Sequence, residues 1–338
     1  MKSQIQAYIA AVAIVLMVSL AHAQEPSPPA YTPPGGKKMF FPATPRSVPK
    51  DQQFWVLVTL MVDRDGKAYE AAAVDSNGPE ALEESAVKNL DSAEFRPATF
   101  DNQPVDSIHR MNYSFMTGAS RSSAAAFDAA YNKISSAIAR GDRPLADKLL
   151  AAIKTHGLDE DVLRNMLLYQ YHQRWGTPAQ QLADLRRASG IRDPNGAMPS
   201  LLASKALRPR LELEIQLNDF GGALITWDII ERSKKTQEFA PAFQATIDDI
   251  NSRRTDDRSH TVAGEVDHRG SWFVYLLKRK FAIGASNGEV SHLKLRCERG
   301  FSTYKFEAGK LYETDENAGP CQLQVIGKPG TALELQQS

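Results

Sequence analysis

The stretch from Val56 to Val105, VLVTLMVDRDGKAYEAAAVDSNGPEALEESAVKNLDSAEFRPATFDNQPV, constrains the fold more than any other part of the chain. Val56, Val58, Leu60 and Val62 recur at period two and so share one face of a strand. Asp65-Gly66 then supplies a tight hairpin turn, because Gly reaches positive φ without steric cost and Asp tolerates it. Ala68, Ala71, Ala73 and Val74 belong to the return strand, which Ser76-Asn77-Gly78 ends. Pro79 suits a first helical position, where the N–H has no partner in any case, and Leu82, Ala86 and Leu90 form an apolar helical stripe. Phe95-Arg96-Pro97-Ala98 breaks that helix, and alternation predicts a last strand from Ile108 to Phe115. In it His109, Met111, Tyr113 and Phe115 share the core face, and Ile108, Arg110, Asn112 and Ser114 share the other.

This hairpin, helix, strand order resembles the C-terminal domain of the TonB family over about residues 40–116. The positions in register are Val56, Val58, Leu60 and Val62 before Asp65-Gly66, then Leu82-Glu83, Phe95-x-Pro97-Ala98 and Pro104-Val105. Two positions depart from the family pattern. Ala93 stands where the family has a helix-end Trp, and Phe40-Phe41-Pro42 only loosely echoes its Tyr-Pro lead-in. The resemblance implies a non-enzymatic, protein-binding domain of the kind found at the periplasmic end of energy transducers that contact outer-membrane receptors. It also implies the mode of binding: the last strand, here Ile108 to Phe115, pairs its open edge with an extended segment of the partner.

At 338 residues the chain has room for more than this unit, and Lys+Arg and Asp+Glu balance at 40 each, so no net field favours nucleic acid. Residues 1–23 combine Lys2, an apolar run from Ala7 to Leu20 and Ala21-His22-Ala23, the pattern of a cleaved signal peptide. The alternative is an uncleaved inner-membrane anchor, although the run is shorter than the ~20 residues a spanning helix needs. Residues 24–39 carry clustered prolines and Gly35-Gly36 and read as an extended, solvated linker. The TonB-like unit follows at 40–117.

From 122 to 255 apolar residues adopt helical spacing, and three segments, Tyr131–Leu150, Tyr169–Leu185 and Leu211–Trp227, each read as helix, turn, helix. Ala146, Ala179 and Ala223 open the second helices, a weak resemblance to tetratricopeptide-like hairpins; a non-repetitive bundle is the alternative. Residues 258–338 are short β-rich runs separated by Gly, Asn, Asp and Pro turns, predicting a small antiparallel sandwich or partly closed barrel. Cys297 and Cys321 both lie there, and export would let them form a disulfide. The expected fold class is therefore α+β multidomain: a TonB-like domain, an all-α helical-hairpin domain and a β domain closed by one disulfide.

The chemical motifs are sparse. Asp63-Arg64-Asp65-Gly66 fails as a calcium loop because Lys67, Ala68 and Val74 occupy positions that must ligate or turn. His260, Glu265, Asp267 and His268 alternate faces and give neither face three metal ligands. No nucleophile elbow, zinc-protease pair or phosphate loop is present, so no cofactor, metal or small-molecule substrate is expected. Arg208, Arg210, Arg253, Arg254 and Lys278-Arg279-Lys280 read as a solvated surface balanced by acids. Trp272, Phe273 and Tyr275 read as buried strand residues. The sequence thus points to a periplasmic protein-binding module whose partner is an envelope protein, such as an outer-membrane TonB-dependent receptor. An anchored energy transducer and a scaffold that binds through its helices are the alternatives.

Overall fold

The computed structural model describes residues 31–50, 52–116, 124–190, 201–233, 236, 238–285 and 287–338. The signal segment 1–23 lies outside them. The TonB-like unit is built around strand β3 (Gln53–Val62), which pairs antiparallel with β4 (Ala68–Ser76) on one side and β8 (Ser107–Met116) on the other. The hairpin turn is larger than Asp65-Gly66 alone. Asp63 C=O accepts the Gly66 N–H at 3.0 Å, Asp63 N–H reaches Lys67 O at 2.9 Å, and the Asp63 carboxylate accepts the N–H groups of Asp65 and Lys67. Gly66 adopts φ +81° in the left-handed region that follows such a turn. Helix Glu80–Asn89 packs on the sheet, and Pro79 sits just before it in extended geometry at the N-cap rather than at the first helical position. Val56, Val58, Leu60 and Val62 bury against Leu82, Ala86, Leu90, Phe95, Tyr113 and Phe115 in one core, with Ala93 buried in the same cluster.

Within the segment read as a solvated linker, the described residues from Tyr31 form strands rather than an extended, solvated chain. Strand β1 (Tyr31–Thr32) pairs with β6 (Ala98–Phe100), and β2 (Gly35–Lys38) pairs with β5 (Glu94–Arg96). β6 also pairs with β7 (Gln103–Val105). The prolines do not prevent this, because neither strand contains one: Pro33 and Pro34 lie between β1 and β2.

The helical region runs through helices Ala124–Arg140, Arg143–Ala152, Leu158–Trp175, Pro178–Gly190, Leu201–Ser204, Leu207–Gln216, Phe220–Arg232 and Gln244–Ser252. Three of its turns are capped as their sequences allow. Asp142 accepts Leu145 N–H, Thr177 accepts Gln180 N–H while Gln180 accepts Thr177 N–H, and Asp219 accepts Gly222 N–H. Ala146 and Ala223 are buried, as close helix packing demands, but Ala179 is exposed. In that helix Leu182, Leu185 and Ala188 make the core contact instead, so the three-fold echo does not hold at its middle member.

The C-terminal region is a sandwich of two four-stranded antiparallel sheets. One contains β10 (Ser271–Leu276), β15 (Cys321–Gly327), β12 (Val290–Cys297) and β13 (Gly300–Lys305); the other contains β14 (Leu311–Glu313), β11 (Lys280–Ala285), β16 (Ala332–Gln337) and β9 (His260–Glu265). Val274, Leu293, Leu295, Leu323 and Val325 of the first meet Val262, Phe281, Ile283, Leu333 and Leu335 of the second in one cluster. Cys297 and Cys321 stand directly opposite each other on β12 and β15 and form the disulfide.

Modularity is the main departure from the sequence reading. An antiparallel sheet commonly leaves one face to water, yet every residue of β3 from Phe54 to Val62 is buried. Trp55 and Leu57, on the face opposite the Val56 series, pack with Val162, Leu182, Leu185, Ala188, Ala203, Ala206 and Leu213 of the helices. The Trp55 indole N–H donates to buried Asp161 at 3.0 Å. The sandwich joins both bodies: Arg269 binds Glu83 at 2.7 and 2.9 Å, and Leu277 enters the helical core with Leu207, Phe220 and Trp227. The Glu83 carboxyl is itself buried, which opposes ionisation, but Arg269 and Ser76 hydrogen bonds hold it below the usual carboxylate range. The basic residues divide along the same lines. Arg208, Arg210 and Arg253 pair with Glu212, Glu214 and Asp249, whereas Lys278 is buried and bonded to Asp256.

His260 lies at the seam between helices and sandwich, with its ring 5.0 Å from that of Phe220 and both ring nitrogens buried without a partner among the described residues. Burial, then Lys278 and Arg253, lower its pKa from 6.5 to about 4. The unfolded chain therefore takes up this proton first as pH falls, so stability should decline between pH 6.5 and 4. The loss attributable to His260 is at most about 3 kcal/mol. Urea unfolding across that range should show the decline in the natural protein and a flatter profile in His260→Phe.

Candidate partner-binding edge

The sheet β4-β3-β8 has two edges, and they differ. β4 is irregular: its pairing with β3 shifts between Thr59 and Met61, and Glu70 opposite that shift takes φ +50°. Its backbone there is already engaged, because Glu70 C=O accepts Arg296 Nε at 3.1 Å and Nη2 at 2.8 Å, while its carboxylate pairs with Lys294. A bulge and a bonded carbonyl blunt an edge. β8 is the opposite case. Its register against β3 runs unbroken from Gln53↔Met116 to Val62↔Ser107, and no described strand pairs with its outer side.

The outward groups of β8 follow from β3. Trp55 N–H donates to Asn77 Oδ1 at 2.7 Å and Trp55 C=O accepts Asn77 N–H at 3.3 Å, so the odd residues of β3 direct their backbone toward β4. The even ones therefore face β8, where Phe54, Val56, Val58 and Leu60 oppose Phe115, Tyr113, Met111 and His109. It follows that Ile108, Arg110, Asn112 and Ser114 turn their N–H and C=O groups outward.

The predicted core face is observed. Tyr113 and Phe115 are buried, Met111 packs on the same cluster, and His109 meets the Phe95 ring edge-on at 5.5 Å. Burial raises the Tyr113 pKa, and its hydroxyl takes an N–H from Asn89 at 3.3 Å. The other face is not a free surface, contrary to what alternation alone suggests. Asn112 Nδ2 donates to Gly190 O at 2.8 Å, and the Arg110 guanidinium lies 5.7 Å from the Tyr275 ring centre. Both contacts come from segments remote in sequence, which no local pattern reveals.

The remaining motif residues serve the frame. Phe95 is buried with its N–H on Gly66 O at 2.9 Å, Ala98 is fully buried, and Pro97 joins β5 to β6. The four residues weighed as metal ligands do not converge: His260 is buried against Phe220, Glu265 and His268 are exposed, and Asp267 binds Arg269 at 3.0 Å. Trp272 packs against the sandwich core, while Tyr275 is half-buried beneath Arg110.

The unit is thus a small α/β domain whose sheet has one blunted edge and one edge that no described strand pairs. Residues 47–117 match the family described as the Gram-negative bacterial TonB protein C-terminal, and the chain therefore carries a TonB C-terminal domain. No curated protein and no solved structure matches the chain. The family is an envelope-associated, non-enzymatic interaction domain. Among the described residues, no helix is long and apolar enough to cross a membrane.

Proposed function

We propose that this protein is a periplasmic binding module that captures an extended segment of an outer-membrane or other envelope protein along β8. The observation that carries this reading is a ten-residue edge strand in continuous register that no described strand pairs on its outer side, ending a sheet whose other edge is blocked. Backbone pairing supplies the affinity, and neighbouring side chains select the register. Export through cleavage after Ala23 accords with the Cys297–Cys321 disulfide, which persists in an oxidising compartment. A mature protein beginning at Gln24 supports this form; Met1 retained in a membrane pellet supports an anchored transducer instead.

The edge is tested best at Ser114. Proline there removes an outward N–H without touching the β3 ladder, whereas proline at Asn112 would also break the bond to Gly190. Ser114→Pro should abolish capture of the envelope partner in a pull-down from envelope extract, and Ser114→Ala should retain it. With partner bound, hydrogen exchange should slow at the amides of Ile108, Arg110, Asn112 and Ser114, while those facing β3 are protected from the start. Undiminished capture by a folded Ser114→Pro protein would transfer recognition to the helices.

A further inference from the structure

The loop before β3 presents three consecutive apolar side chains to solvent: Met39 is 38% exposed, Phe40 43% and Phe41 94%. A nearly bare Phe costs free energy in water and is uncommon unless something covers it. This loop is held in place on both sides of Phe41. Phe40 C=O accepts Asn89 Nδ2 at 2.8 Å, Ala43 C=O accepts Ser85 Oγ at 2.6 Å, and Pro42 is buried between them. The helix Glu80–Asn89 thus fixes the loop, and Phe41 is displayed rather than left over from a loose end.

Along the loop itself the charge is one-sided. From Lys37 to Lys50 the sequence KKMFFPATPRSVPK carries Lys37, Lys38, Arg46 and Lys50 and no Asp or Glu. Lys38 and Arg46 form no ion pair among the described residues, and Lys37 reaches only the half-buried Glu94 at 3.7 Å. Lys38 Nζ lies 5.3 Å from the centre of the Phe40 ring, so its stem follows the apolar tip while its charge stays outside. Exposed aromatic side chains beside lysines are the chemistry of an interfacial anchor: rings enter the headgroup boundary and cations meet anionic lipid. In the anchored form, the length of chain before Tyr31 would keep this tip close to a bilayer. Only ten residues separate Leu20, the end of the apolar run, from Tyr31, a contour of at most ~35 Å if that run stays in a membrane.

We infer that Met39, Phe40 and Phe41, with Lys37, Lys38 and Arg46, form a docking tip for an anionic membrane surface. No residue of the tip belongs to β8, so the tip would orient the domain at a membrane while the outward groups of β8 serve the partner.

The test uses the whole chain with phosphatidylglycerol-containing vesicles, and pure phosphatidylcholine vesicles as control. Relative to the natural protein, Phe41→Trp should add a blue-shifted indole emission, quenched by brominated acyl chains, only on the anionic vesicles. Flotation with these vesicles should weaken about tenfold in Phe41→Ser and roughly fivefold per charge removed in Lys37→Gln/Lys38→Gln, with the latter effect fading in high salt. The emission of the introduced indole also reports contact if an uncleaved N-terminus carries every variant onto vesicles. Unchanged emission from Phe41→Trp on anionic vesicles would overturn the inference. So would a Phe41-dependent dimer in sedimentation without vesicle contact, which would make the tip a protein interface. Ser114→Pro should leave vesicle binding intact, so a failure of the edge and a failure of the tip are distinguishable.

Discussion

Trp55→Ala should destabilise the protein by about 3–5 kcal/mol, and the loss should register in the helices as well as in the TonB-like sheet. Trp55 is 1% exposed, fills the space between β3 and the helical layer, and gives its N–H to Asp161, which is itself 3% exposed. Removing the indole leaves a cavity and deprives a buried carboxyl of a donor, and burial already raises the pKa of that group. Trp55→Phe separates the two costs: it keeps most of the volume and should lose about 1–2 kcal/mol with the hydrogen bond. Urea unfolding followed by circular dichroism, with limited proteolysis between residues 117 and 123, provides the measurement. A helical region that melts at its original midpoint in Trp55→Ala would show that the two bodies fold independently.

Gly66→Ala should cost about 3 kcal/mol or more, because two penalties meet there. The residue holds φ +81°, and a Cβ would stand 2.1 Å from the carbonyl oxygen of Phe95. Neither neighbour can yield cheaply. The Phe95 ring is buried in the sheet core, and its N–H is bonded back to Gly66 O. Gly309→Ala is the reference, since Gly309 has φ +73° with nothing within 4 Å of its would-be Cβ, and should cost only about 1–2 kcal/mol. Thermal unfolding of the two variants gives the difference. A Gly66→Ala midpoint matching that of Gly309→Ala would show that β5 moves away from the hairpin without penalty.

Gly66 also shows how far the family motif can be read. The turn was legible because its chemistry is local: an Asp-rich loop and a glycine between two alternating runs. The clash with Phe95 was not, because the two residues are separated by the return strand and the helix. The open edge follows the same division. Alternation from Ile108 to Phe115 identified the strand and its core face, and Tyr113 and Phe115 are buried as that pattern requires. The bond from Asn112 to Gly190 joins residues 78 apart in sequence, and no periodicity carries such information.

By itself the sequence determined the parts whose causes are short-range. These are the β3–β4 hairpin, the Leu82-Ala86-Leu90 stripe, the helical middle, the β-rich end with its paired cysteines, and the family to which the first unit is similar. Period and turn chemistry act over a few residues, so they survive any arrangement of the rest. Only the tertiary structure decided what covers the second face of β3, which sheet edge is blocked and which is open, and that Tyr31–Lys38 joins the sheets. Each of those depends on residues brought together across more than fifty positions: Trp55 with Asp161, Glu70 with Arg296, Tyr31 with Phe100. An alternating strand states that one face is apolar; Trp55 and Leu57 made the other face apolar too, and only a neighbour able to bury them could give that a meaning.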